Sequence, residues 1–157
     1  MNNSSSEFYA LITGATAGIG KQIAIECAKR KLNLYLVSLP DTGIEELSEN
    51  LKLKYNIKIY SFAIDLTKYE APQEVFDYAR ANNIQVNILV NNAGVGFHGK
   101  LEKLTPQLVD KMILLNVRAS TLLTLFFLPE MTQQKKANIL NISSFAALSP
   151  VPYKCVY

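Results

Sequence analysis

Histidine occurs once in this chain and cysteine twice, and no apolar stretch runs uninterrupted for the length of a membrane span. Each scarcity excludes a class of function. His98 stands alone in Val95-Gly96-Phe97-His98-Gly99 with no partner ligands nearby in sequence, so no metal site is expected, and the residue reads as solvated or as lining a substrate entrance. Cys27 and Cys155 are too few for a disulfide framework, which suits a reduced, cytoplasmic setting. The most apolar stretch, Met112 to Met131, is interrupted by Asn116 and Arg118 and closed by Pro129-Glu130. It falls short of the roughly 18 uninterrupted apolar residues that a span requires, and the expectation is a buried helix and no membrane. Met1 to Glu7 is polar and serine-rich, without the apolar core of a signal peptide or anchor. The net charge of +3 is carried by scattered residues, densest at Lys29-Arg30-Lys31 and Lys135-Lys136. With no basic stripe and no interleaved aromatics, a nucleic-acid partner is not expected. Repeats, low-complexity tracts and domain boundaries are absent as well.

What is present is an ordinary globular composition, 49% hydrophobic and 18% charged, arranged as alternating strand and helix patterns. Apolar runs near Phe8 to Thr13, Leu32 to Ser38, Lys58 to Ile64, Val86 to Val90 and Ala137 to Ile142 read as strands. Helical patterns near Gly18 to Lys31, Thr42 to Tyr55, Ala71 to Asn82 and Thr105 to Met131 separate them, with Pro72 in a first turn where its missing N–H costs little. Such alternation implies right-handed βαβ units, hence an α/β domain with a parallel sheet covered on both faces.

Two turns carry the chemistry. The first strand pattern runs into Thr13-Gly14-Ala15-Thr16-Ala17-Gly18-Ile19-Gly20 and then a helix. Gly14 permits a tight exit from the strand, Gly18 lets backbone N–H groups approach a pyrophosphate, and Gly20 lets the helix pack closely on the sheet. The phosphate would rest at the helix N-terminus, where unpaired N–H groups and the helix dipole favour an anion. The second turn, Asn91-Asn92-Ala93-Gly94, follows the fourth strand pattern directly. Two glycine turns at the carboxyl ends of two strands mark a topological switch point, where open α/β sheets bind ligands.

These residues resemble the short-chain dehydrogenase/reductase family, whose members carry T-G-x-x-x-G-x-G, N-N-A-G, a helix asparagine, a serine and Tyr-x-x-x-Lys. Thr13, Gly14, Gly18 and Gly20 match the first motif, Asn91 to Gly94 the second, and Asn116 the helix asparagine. Ser144 ends Asn138-Ile139-Leu140-Asn141-Ile142-Ser143-Ser144 thirteen residues before Tyr157, the family's serine-to-tyrosine interval. The resemblance implies a Rossmann-like doubly wound sheet in the order 3-2-1-4-5, with its crevice between the turns at Gly14 and Asn91. It implies cofactor contacts from Thr13, Gly14, Thr16, Gly18, Ile19, Gly20, Ser38, Asp65, Asn91, Ala93 and Gly94. Ser144 would hold a substrate oxygen, Tyr157 would exchange its proton, and Asn116 would position a water.

Other expectations follow from the resemblance. Ser38-Leu39-Pro40 closes the second strand pattern with no carboxylate to repel a 2′-phosphate, so NADP is favoured over NAD, although Leu39 replaces the arginine often found there. Asp65 reads either as the family acid that bonds the adenine amino group or as a cap ahead of Thr67. The segment Ser144 to Pro152 is similar to the branch acting on hydroxysteroids and 3-oxoacyl thioesters, so the substrate would be a small-molecule carbonyl or alcohol. The apolar surplus of Met112 to Met131 implies homo-oligomerisation through that helix. Tyr157 is the last residue, and the family lysine four positions further is not in the sequence. The chain therefore reads as one incomplete domain lacking the carboxyl-terminal strands and helices, inactive alone. Were Tyr157 a natural end, the alternative is a dinucleotide-binding module without catalysis.

Overall fold

The computed structural model describes residues 8–154; Tyr157 and Cys155 lie outside them. Five parallel strands form one sheet in the order β3-β2-β1-β4-β5, the order expected. They are β1 (Phe8–Thr13), β2 (Asn33–Ser38), β3 (Ile59–Ala63), β4 (Gln85–Asn91) and β5 (Asn138–Asn141). Between them run α1 (Gly18–Lys29), α2 (Ile44–Tyr55), α3 (Ala71–Ala81), α4 (Pro106–Met112) and α5 (Ser120–Met131). A π-helical turn, Ile113–Ala119, joins α4 to α5.

The period-2 alternation of a strand splits the core into two layers. Tyr9, Leu11, Tyr35 and Val37 face Val75 and Ala79 of α3 and Leu123 and Phe127 of α5. Ala10, Ile12, Leu34 and Leu36 face Ala24 and Ala28 of α1 and Ile44 and Leu51 of α2. Strands buried on both faces need continuous apolar sequence, which explains the unbroken runs in β1 and β2. Each fully buried Leu or Ile there contributes about 1.5–3 kcal/mol. The hydroxyl of fully buried Tyr35 is satisfied by donating to the Val75 carbonyl at 3.0 Å. Edge strand β5 is less covered, with Leu140 47% exposed.

Helix ends differ from the sequence reading where the backbone turns left-handed. α1 stops at Lys29 because Lys31 adopts φ 62°, and α2 begins at Ile44 because Gly43 adopts φ 79°. A larger correction concerns Met112 to Met131. The helix expected over Thr105 to Met131 is continuous over Pro106–Met131 with Asn116 and Arg118 inside it, and by length and composition it could cross a membrane. It is not buried throughout. Ala119, Leu123, Phe127 and Met131, spaced four apart, pack into the core, while Ile113, Val117, Leu125 and Leu128 are exposed. The i, i+4 spacing places one stripe against the sheet and leaves an apolar face outward.

Candidate functional site

At the carboxyl ends of β1 and β4 the two glycine turns are bolted together. The Thr13 hydroxyl, on a buried side chain, donates to the Val90 carbonyl at 3.3 Å and accepts from the Asn92 and Ala93 N–H groups, each at 3.0 Å. The Asn92 amide donates in return to the Thr13 carbonyl at 2.9 Å and the Gly14 carbonyl at 3.2 Å. Asn92, which the sequence reading passed over among the site residues, thus fixes the glycine turn from across the crevice. Gly14 turns the chain at φ 65°, and a Cβ there would meet the Ala93 Cα at 3.0 Å. Gly20 has no room at all, since a Cβ would collide with the Gly14 carbonyl and the Asn92 amide. Gly18 is the opposite case: φ is 51° and nothing lies within 4 Å of the Cβ position. The glycine at 20 is required by the fold, the one at 18 only by its backbone and by whatever fills that space.

We expect Thr13→Val, nearly isosteric, to strip three buried backbone groups of a partner and cost about 2 kcal/mol. Thermal unfolding would register this as a midpoint lowered by about 4–8 °C, whereas an unchanged midpoint would show the hydroxyl to be dispensable.

The crevice opens on both sides of this bolt. One cavity, of about 380 Å³, is lined by Gly14, Thr16, Gly18, Ser38, Thr42 and Asp65 together with Ala93, Gly94, Lys111 and Leu115. Ser38 lies 2.7 Å from the Thr16 hydroxyl and accepts from the Thr42 hydroxyl at 3.2 Å, so three hydroxyls meet at the end of β2. Asp65 accepts at Oδ1 from the Thr67 N–H at 3.0 Å and the Thr67 hydroxyl at 2.7 Å, the capping geometry, while its carboxylate also lines the cavity. Burial pushes the Asp65 carboxyl up, but the Thr67 donors and the charges of Lys68 and Lys111 outweigh this and hold it below the ordinary carboxylate value.

A second cavity, of about 510 Å³, is lined by Ile19, Asn91 to Gly94, Asn116, Val117, Asn141, Ser143 and Ser144. It brings Asn116 and Ser144, 28 positions apart by their numbers, to one wall. Ser144 caps the short helix Phe145–Ala147, its oxygen accepting from the Ala146 N–H at 3.2 Å, which leaves the hydroxyl proton to be donated elsewhere. Asn116 grips the loop after Gly94: Oδ1 accepts from the Val95 N–H at 2.9 Å and Nδ2 donates to the Val95 carbonyl at 2.8 Å. Asn91 turns away from the glycine turn. Its amide donates to Asn141 Oδ1 at 2.8 Å and Thr124 Oγ1 at 3.1 Å, tying β4 to β5 and α5. His98 packs edge-on to Tyr153 at 5.7 Å, and the Gly99 N–H donates to the Tyr153 carbonyl at 3.0 Å, so the loop after Gly94 meets the segment before residue 154.

Sequence reasoning missed Lys111 and Thr42 in the first cavity. Lys111 carries a signal in hindsight, since it lies four residues before Leu115 and therefore on the same helix face.

Comparison with known proteins converges on one family. The short chain dehydrogenase family profile matches residues 9–157. The chain is 34% identical over 155 residues to very-long-chain 3-oxoacyl-CoA reductase of Rattus norvegicus, covering 95% of this chain and 48% of that protein. It spans about half the length of the relatives of this kind that it matches. Among solved structures it resembles the bulky-bulky ketone specific alcohol dehydrogenase of Comamonas testosteroni, with 32% identity and TM-score 0.83 over 90% of this chain and 57% of the other. It resembles a metagenomic short-chain oxidoreductase in complex with NADP, with 31% identity and TM-score 0.88 over 97% and 69%.

Proposed function

The chain belongs to the short-chain dehydrogenase family, and from that premise we propose that it serves as an NADP-preferring oxidoreductase that reduces a bulky, apolar carbonyl compound, 3-oxoacyl thioesters first among them. The observation that carries the reading is the uncapped start of α1. Its N-cap, Ala17, offers no side-chain hydrogen bond and no acidic residue occupies its first turn, so the N–H groups beside open Gly18 face the crevice without a protein partner of their own kind. That is the chemistry of an anion site, and it fits a pyrophosphate.

A dinucleotide lying across the crevice would place its adenosine half by Ser38 and Asp65 and its nicotinamide half by Gly94, Asn116 and Ser144. The hydroxyls of Thr16, Ser38 and Thr42 are neutral donors for a 2′-phosphate, in a position where a carboxylate would repel one. When bound, the cofactor supplies the hydride. The chain's own part is to hold the carbonyl oxygen and manage its proton. Ser144 donates its hydroxyl proton in a hydrogen bond to that oxygen, polarising the carbonyl, and Tyr157 gives up a proton as the alcohol forms. Asn116 fixes the floor of the site through Val95 and, with its second lone pair and second amide hydrogen, can still hold a water for proton relay.

The substrate class is supported by the rim. Phe145 and Leu148, in the turn that Ser144 caps, are 74% and 86% exposed, and Tyr153 lies against His98 on the facing loop. Within the second cavity itself Ile19, Val117, Ile142 and Ala147 stand beside Ser144, an apolar lining that suits a long acyl chain or another bulky hydrophobe. The test is NADPH oxidation by the protein expressed from its complete reading frame, with 3-oxoacyl thioesters of short and long chain. Faster turnover of the long chain is expected; an enzyme that prefers the short one, or that turns over neither, overturns the substrate assignment.

The exposed stripe Ile113, Val117, Leu125 and Leu128 supports self-association, since pairing the same face of two copies covers both. Light scattering should give a dimer or larger, and a monomeric mass at high protein concentration would count against it.

A further inference from the structure

The π turn does more than carry Asn116. From the same seven residues, Arg118 reaches back to the loop between β3 and α3, where its Nη1 donates to the Tyr69 carbonyl at 2.9 Å and its guanidinium lies 4.0 Å from the centroid of the Tyr69 ring. That loop runs over residues 64–70, and Ile64, Asp65, Leu66 and Thr67 line the first cavity. Its start is tied down, since the Ile64 N–H donates to the Ser38 carbonyl at 2.8 Å and Leu66 is buried in the core. Its outer stretch needs fastening: β3 is an edge strand, and the segment from Lys68 to Glu70 is exposed. The bonds Thr67 makes to Asp65 shape the loop internally. The π turn thus holds both sides of the crevice at once: Asn116 grips Val95 beside Gly94, and Arg118 grips Tyr69 beyond Asp65.

We infer that Arg118 is a positioning residue for the adenosine half of the cofactor, holding the Asp65–Tyr69 loop at the distance from the glycine turn that the ligand requires. This rests on the dinucleotide reading of the crevice. A guanidinium stacked on an aromatic face and donating to a carbonyl combines two favourable contacts in one rigid group, and lysine reproduces only the charge. The interaction acts on a loop that lines the first cavity and not the second, so its loss falls on cofactor binding and not on the wall formed by Ser144.

The experiment uses the protein from its complete reading frame and measures NADPH and ADP dissociation constants, steady-state constants and thermal midpoints for three variants. Arg118→Ala should weaken NADPH and ADP alike by roughly five- to tenfold and raise the cofactor KM to match, with kcat at saturating NADPH held. Arg118→Lys should fall between it and the parent. Tyr69→Ala, which removes the exposed ring and keeps the carbonyl, should weaken both ligands by a smaller factor, and it decides the matter should Arg118→Ala fail to fold. Unchanged affinities in Arg118→Ala and Tyr69→Ala overturn the inference, as does a loss confined to kcat or to the thermal midpoint. A parent protein that binds neither NADPH nor NADH overturns the cofactor reading and this inference together, whereas a parent that binds and variants that match it overturn this inference alone.

Discussion

Replacing Tyr157 by Phe should lower carbonyl reduction by about a thousandfold while leaving the cofactor dissociation constant at the parent's value. The ring is preserved and only the hydroxyl goes, so the substitution removes the proposed proton carrier alone. Its size follows from the chemistry. Carbonyl reduction without a proton donor at the oxygen leaves an alkoxide to form, and a positioned general acid is worth roughly two to four orders of magnitude in such a step. A tyrosine with an unperturbed pKa of ~10 performs this at neutral pH only with a cation nearby, so activity should also require the lysine expected four residues further on. Single-turnover kinetics with NADPH on the complete reading frame supply the check. A Tyr157→Phe protein that keeps the parent's rate would move the proton carrier elsewhere, and Ser144, the hydroxyl on the second cavity wall, would be next in line.

Gly18 and Gly20 should separate binding from folding. Gly18→Asp places a carboxylate in open space at a backbone conformation that Asp tolerates better than most residues, with φ 51°. The conformational cost, about 1 kcal/mol, is partly offset by the favourable place of an anion at a helix N-terminus. Stability should therefore change little. Binding should collapse, because two negative charges about 4 Å apart near a protein surface repel by about 4 kcal/mol, or two to three orders of magnitude in affinity. Gly20→Ala does the reverse. Its methyl meets the Gly14 carbonyl and the Asn92 amide, so backbone has to move and the Asn92 bond is lost, at about 3–4 kcal/mol together. Calorimetry for binding and denaturant unfolding for stability test the pair. Equal losses of stability in the two variants, or tight NADPH binding by Gly18→Asp, would show that the open space at Gly18 faces no phosphate.

The strands were legible because a parallel sheet buried on both faces writes itself as short apolar runs ended by polar and glycine residues. β1 runs over Phe8–Thr13 as read, and the others fall within a residue or two. The order of the strands followed from the family resemblance, not from the runs themselves. What was not legible is long-range. That Thr13 serves the Asn92 turn depends on a partner 79 residues away, and that Asn116 binds Val95 depends on one 21 away. The π turn has no local sequence signature of its own, and the helix pattern over Thr105 to Met131 does not show that Asn116 and Arg118 are satisfied at distant loops. The apolar surplus of Met112 to Met131 did show in the count of apolar residues, but which of them face outward did not. Among the cofactor positions, Gly14, Gly18, Ser38, Asp65, Ala93 and Gly94 were brought to the first cavity, whereas Thr13 and Asn91 hold the fold beneath it.

The bolt between Thr13 and Asn92 also sets the order of events as the chain folds. β1 lies at the centre of the sheet, yet one of its two neighbours, β4, is made only after two further strands, β2 and β3, have been added. Closing a loop of 79 residues costs about 4 kcal/mol in chain entropy, to be recovered only when the whole β1–β4 ladder zips. The glycine turn therefore takes its final shape with the slow, non-local step and not with the early β1–α1–β2 crossover unit. In the native protein the same connection runs backwards: the crevice cannot come apart locally without separating the two central strands. A molecule bound there is then felt by the slowest-exchanging amides of the sheet, and its binding energy adds to the stability of the entire domain instead of to a loop.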